Sequence, residues 1–285
     1  MATARVDYLL HLADNALILG QRNAEWCGHG PILEEDLALA NNSLDLIGQA
    51  RLLYQQAADR LNAGPAGPLA ELRRHAPSMP EAALPEGRVT EDTLAYFRDV
   101  PEFRNYTLLE LPHSTALAGT ARGDRDYAVT IARNLLYSAL MVLVWERLER
   151  CGDPDLAAIA AKSGKETRYH LRHAGDWLVR LGDGTETSHA RAQAAIDHLM
   201  PYTAEFWTDS APERGAAADG TGVDPVTLRG DWESLVDGWL GPATLTRTTP
   251  LGWVSTGKEG LHSEHLGFVL AEMQSLARAH PGATW

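Results

Sequence analysis

From Val129 to Trp145 the chain is apolar on nearly every side of a helix. A helix without a polar face must be covered all round, so it belongs in the middle of a bundle and dictates helical neighbours on every side. Its longest apolar run, Leu135 to Trp145 with Tyr137 and Ser138 inside it, is eleven residues. That is too short to cross a bilayer as a helix, so a buried core helix is expected and no membrane association.

Further helical patterns surround this one. Val6, Leu9, Leu10, Ala13, Leu17 and Gly20 recur at three- and four-residue steps over 6–22, before Gly28, Gly30 and Pro31 interrupt them. Over 33–61, Leu33, Leu37, Ala40, Leu44 and Ile47 form one stripe, and Leu39, Leu46, Ala50 and Leu53 widen it, as if the helix met more than one neighbour. Pro31 suits a helix start, and Glu34, Glu35 and Asp36 complement its dipole. The apolar helix extends over 125–150. A fourth runs from the Asp153-Pro154 cap to Leu181, stopped by Gly182 and Gly184. Shorter helices are expected over 190–207, 224–240 and 261–280. Residues 62–90, with five prolines, read as a loop-rich exposed excursion with at most a short helix over 69–75. Residues 90–109 read as one or two short helices split by Pro101. No strand alternation, phosphate loop or G-x-S-x-G motif is present. Two pairs of long helices with a long connection between pairs fit a four-helix bundle core with additional C-terminal helices, and the 285 residues are expected to form a single domain.

Charge and cysteine usage exclude some functions. A net charge of −13 and the absence of any Lys/Arg run argue against nucleic-acid binding, which needs a basic surface, and suit either solubility or docking to a basic partner. Cys27 and Cys151 form no C-x-x-C pair and no disulfide framework, and the N-terminal stretch does not read as a signal peptide. A cytoplasmic protein is expected.

Three blocks carry a specific resemblance: E-W-C-G-H with D-L-A-L-A-N inside 25–54, K-E-T-R-Y-H inside 165–185, and G-L-H-S-E-H inside 260–282. In this order they resemble the PaaC family, a component of the multicomponent phenylacetyl-coenzyme A epoxidases, and the likeness covers nearly the whole chain. The resemblance implies a ferritin-like fold. It also implies a PaaA-type di-iron catalytic partner, a paralogue, in a complex that uses oxygen and a reductant to epoxidise the ring of phenylacetyl-coenzyme A. Members of the PaaC family are implied to be structural, with other subunits of the same complex as further partners. Self-association of the chain alone is compatible with this.

A carboxylate-bridged di-iron site needs a carboxylate from each of two helices and an E-x-x-H from each of the other two. Aligned by the family blocks, the first half offers Ala16 and then Asp45-Leu-Ile-Gly48, and the second offers Ser138 and then Thr167-Arg-Tyr-His170. Both halves keep a spacing of 29 residues, 16 to 45 and 138 to 167. Only Asp45 and His170 carry ligand chemistry, either as remnants of a site or as structural residues. No metal, cofactor or catalytic residue is therefore expected in this chain. A slip of one or two residues would recover Asp14 or Glu166 without completing a ligand set. An independent ferritin-like metalloenzyme with another ligand set is the alternative.

Other constellations invite chemistry and have structural explanations. His262, Glu264 and His265, with Glu272 two turns on, have metal-like spacing but lack H-E-x-x-H, and serve equally to anchor the last helix. Glu166 and His170 can pair across one helix face, beside His173. Cys27 near His29 lacks a third group to orient a base. Trp207, Trp232, Trp239 and Trp253 suit an interface or a core. Arg73-Arg74 and the arginines over 122–125 are the only small basic clusters a coenzyme A phosphate could use, and read equally as solvated loop charges.

Overall fold

The computed structural model describes residues 2–117, 124–248 and 252–283. In chain order its α-helices are α1 (Ala2–Ala24), α2 (Leu33–Asn62), α3 (Pro68–Leu72), α4 (Glu91–Tyr96), α5 (Thr107–Glu110), α6 (Tyr127–Leu148), α7 (Pro154–Gly182), α8 (Glu186–Leu199), α9 (Ala211–Ala218), α10 (Arg229–Leu240) and α11 (Glu264–Ala279). Among the described residues no strand forms, and the β pairing is one isolated bridge between Thr256 and Leu261. The all-α class expected from the periodicity is the class that forms.

Contacts within the chain gather it into two compact units. The first comprises Met1–Glu110, Ser210–Asp219 and Thr256–Trp285. Its backbone is the antiparallel hairpin of α1 and α2. Near the turn, a Cβ on Gly20 would lie 3.1 Å from Ile47, and further along the Tyr54 hydroxyl donates to Asp14 Oδ1 at 2.5 Å. The turn is set by Gly28, whose φ of 78° suits a residue without a Cβ, and by the Gly30 N–H donating to the Asp36 carboxylate. Of the two apolar stripes on α2, the one carrying Leu39, Leu46, Ala50 and Leu53 is buried, whereas Leu33, Leu37 and Leu44 are exposed. α9 and α11 pack on α1, and α11 also meets α4.

The segment 62–90 is loop-rich and exposed along much of its length, but a set of buried side chains holds it to the unit. Leu72, Ala76, Met79, Ala83, Leu84 and Val89 are buried. Its ends are tied by a reciprocal pair: Asn62 Nδ2 donates to Val89 O at 2.8 Å, and the Val89 N–H donates to Asn62 Oδ1 at 2.9 Å. His75 Nδ1 pairs with Asp7 Oδ1 at 2.5 Å, joining its middle to α1. The helix inside it is the five-residue α3, with Pro68 at its first position.

The second unit comprises Leu111–Asp209 and Gly220–Ser255. Asp126 caps α6 by accepting from the Ala128 N–H, and Asp153 caps α7 by accepting from Leu156. α6 and α7 run antiparallel: the Tyr127 ring meets Trp177 at one end, and Trp145 lies against Gly164 at the other. With 22 residues α6 is long and apolar enough to cross a membrane by length and composition, more than its eleven-residue run suggested, yet 94% of its most apolar window is buried within the chain. α8 and α10 cover it. Trp232 on α10 donates its indole N–H to Leu136 O at 3.0 Å, and the Trp239 ring lies so close to Gly175 on α7 that a Cβ there would be 2.5 Å away.

Candidate functional site

The ligand frame falls on the four long helices. In the first unit, Ala16 is buried on α1, whereas Asp45 and Gly48 are half-buried on α2, and nothing lies within 4 Å of a Cβ built on Gly48. In the second unit, Ser138 on α6 and Thr167 and His170 on α7 are all buried. The Thr167 hydroxyl donates to the carbonyl of Ser163 one turn back at 2.8 Å, so it serves its own helix. Hard iron is held by bridging carboxylates completed by imidazoles. Ala16 and Gly48 have no donor atom, and Ser138 and Thr167 offer only hydroxyls. Among the described residues no three His, Cys, Asp or Glu side chains converge as a metal would require. The residues present do not fit a di-iron group.

Neither neighbouring carboxylate is positioned to repair the frame. Asp14 is fully buried and accepts from both Nη atoms of Arg98, from the Tyr54 hydroxyl and from the Arg104 N–H at 2.7 Å. Glu166 pairs with Lys162 at 2.9 Å.

Asp14 belongs to a buried polar cluster in the first unit that has no regular spacing in the sequence. Arg98 is itself fully buried, lies 4.3 Å from the centroid of the Phe103 ring, and donates to Leu94 O and Glu102 O. Burial opposes the Arg98 charge, but Asp14 and Tyr54 outweigh it and hold the guanidinium above its ordinary pKa; burial together with Asp14 pushes the Tyr54 phenol well up. Next along α1, His11 Nδ1 donates to Arg104 O at 2.6 Å, and its Nε2 lies 3.7 Å from Glu213, which also takes Lys258 Nζ at 2.7 Å. Burial lowers the His11 pKa, against the pull of Glu213. In a third group, Glu110 accepts from Asn105 Nδ2, from His262 Nδ1 at 2.7 Å and from the Ser263 N–H at 2.6 Å, while His262 Nε2 faces Phe103 O at 3.0 Å. Each carboxylate here is matched by cations and N–H donors, so the cluster ties α1, α5, α9 and the start of α11 together and presents no open coordination position. Its faint sequence signal is charge set in apolar runs, as in Leu108-Leu109-Glu110-Leu111.

The remaining candidates take structural places. His262 anchors the start of α11, Ser263 is its N-cap residue, His265 is buried beside Phe268, and Glu264 and Glu272 are exposed. The H-x-x-H spacing is thus split between a buried ion pair and a packed ring. His173 stacks on Tyr169. Cys27 is an exposed free thiol next to the buried Trp26. Trp207 and Trp232 meet edge to face at 5.3 Å and Trp253 rests on Tyr202, so the C-terminal tryptophans mainly pack the second unit. Arg73 donates to Met79 O and Arg74 pairs with Glu71, which turns both toward their own loop; Arg122 lies outside the described residues.

Fold and frame together define a class: an all-α chain built on two long helical hairpins, with Ala16, Asp45, Gly48, Ser138, Thr167 and His170 at the matched positions of the frame. More particularly, the chain belongs to the family described as phenylacetic acid catabolic protein, whose model matches residues 1–285; the family is ferritin-like. It is 42% identical over 278 residues, 98% of each chain, to the C-subunit of the 1,2-phenylacetyl-CoA epoxidase of Escherichia coli (strain K12).

Proposed function

We propose that this chain is the non-catalytic, structural subunit of a 1,2-phenylacetyl-CoA epoxidase acting in phenylacetate breakdown in the cytoplasm. There it pairs with a paralogous di-iron catalytic subunit of the PaaA type and carries no cofactor of its own. The near full-length similarity to an epoxidase subunit supports the assembly. The observation that carries the non-catalytic role is the content of the frame: Ala16, Gly48, Ser138 and Thr167 stand where iron needs carboxylates and imidazoles.

Iron loading tests this reading. Purified protein is incubated anaerobically with Fe(II), desalted and analysed for metal. The expected result is far less than one iron per chain and no absorption from a bridged di-iron centre. Two tightly held irons per chain would overturn the reading.

A further inference from the structure

The exposed face of α2 carries a helix-packing seam that is open from Leu33 to Leu44; beyond it Ile47 meets Gly20 of α1 and Arg51 pairs with Glu91 at 3.2 Å. Leu33, Leu37, Ala40, Leu44, Ile47 and Arg51 follow one another at steps of four, three, four, three and four residues. That alternation keeps one stripe in line along a partner helix packed at a shallow angle, and it is the spacing of knobs-into-holes contacts. In a lone surface helix this stripe would face inward. Here Leu33 is 72% exposed, Leu37 56% and Leu44 67%, with Ile32 beside them at 50%. Burial of α2 inside its own unit uses the other side of the helix, through Leu39, Leu46, Ala50 and Leu53. The open stretch from Leu33 to Leu44 extends about 17 Å at 1.5 Å per residue, room for a partner helix of about three turns. Ala40 and Gly48 are small, and the open space over Gly48 lets a second backbone approach closely.

We infer that this seam is the docking surface for an apolar, basic-edged helix of another subunit of the same assembly, an inference that rests on the proposed function. Two charge observations select that occupant over a second copy of the chain. Glu34 and Asp45 lie along one edge of the seam, which calls for Lys or Arg along the facing edge of the partner. The chain as a whole carries −13, so two copies repel at long range where a less acidic partner does not. Other exposed apolar side chains, such as Phe268 and Leu276 on α11, do not continue a three-four alternation over several turns.

The test uses the full-length chain co-expressed with the other epoxidase subunits. Wild type, the double variant Leu37→Glu/Leu44→Glu and the control Leu276→Glu are compared by co-purification and by sedimentation, alone and mixed. These side chains are exposed, so thermal unfolding of each isolated variant should match wild type. The seam variant is expected to lose at least about tenfold in affinity for the partner, as central apolar anchors do, while the control stays within about twofold. Equal binding by wild type and seam variant would overturn the inference and leave the proposed function standing. Equal weakening by the α11 control would also overturn it. No complex with wild type would overturn both. A wild-type homodimer made monomeric by the seam variant would make the occupant a second copy, contrary to the inference.

Discussion

Asp14 and Arg98 are a fully buried ion pair in which neither member has solvent to fall back on. Such a pair adds little over an apolar replacement of both, but removing one member strands the other. Arg98→Met is therefore expected to cost about 3–5 kcal/mol in urea unfolding, and adding Asp14→Leu should recover a large part of that loss. A double variant no more stable than Arg98→Met would refute the account. His198 poses the opposite case, a cation avoided rather than matched. Burial, reinforced by the Arg133 charge, pushes its imidazole down to about 4 from an ordinary 6.5. Between these values the unfolded chain binds a proton that the folded chain does not. The stability it contributes is complete above pH 6.5 and is lost as the pH falls toward about 4. Relative to His198→Gln, the native protein should lose about 1–2 kcal/mol across that window once its partial exposure is allowed for. Parallel pH profiles for the two proteins would contradict this.

At the scale of elements, the helices were legible in the sequence because burial on one side leaves a 3.6-residue period. α1, α2, α6 and α7 lie within a few residues of their expected bounds. What periodicity could not reveal is which side of α2 faces inward, since both of its stripes are apolar and only the rest of the unit decides between them. α9 carried little signal because Ala211–Ala218 offers no large apolar side chain. The segment 62–90 carried a different kind of signal. Proline restricts the backbone and breaks helices, but it does not set exposure, and Leu72, Met79, Leu84 and Val89 are buried along a path that is not helical. Its closure depends on the Asn62–Val89 pair. Asn62→Ala should therefore open it, raising the rate of limited tryptic cleavage at Arg73, Arg74 and Arg88 by roughly tenfold, the effect of about 1.4 kcal/mol on local opening. An unchanged cleavage rate would show that the buried side chains hold the segment without that pair.

Over the whole molecule, which side chains stand in the frame could be read from the sequence because that is a matter of residue identity at matched spacing. The buried cluster could not, because Asp14, Arg98, Glu110, Glu213, Lys258 and His262 meet only through the tertiary fold. The acidic balance acts at this scale too. If the chain docks to a basic-edged partner, the association rate should fall severalfold between roughly 20 and 300 mM salt, while dissociation from the apolar seam changes little. A salt-independent association rate in stopped-flow mixing would argue against electrostatic steering. The first unit also draws on both ends of the chain, because Glu110 receives His262 and the Ser263 N–H from the segment that begins at Thr256. During synthesis, α1 and α2 leave the ribosome long before the residues that neutralise Glu110 exist. A nascent chain halted before Thr256 would hold that carboxylate with neither of those donors, so the unit translated first is among the last to be completed.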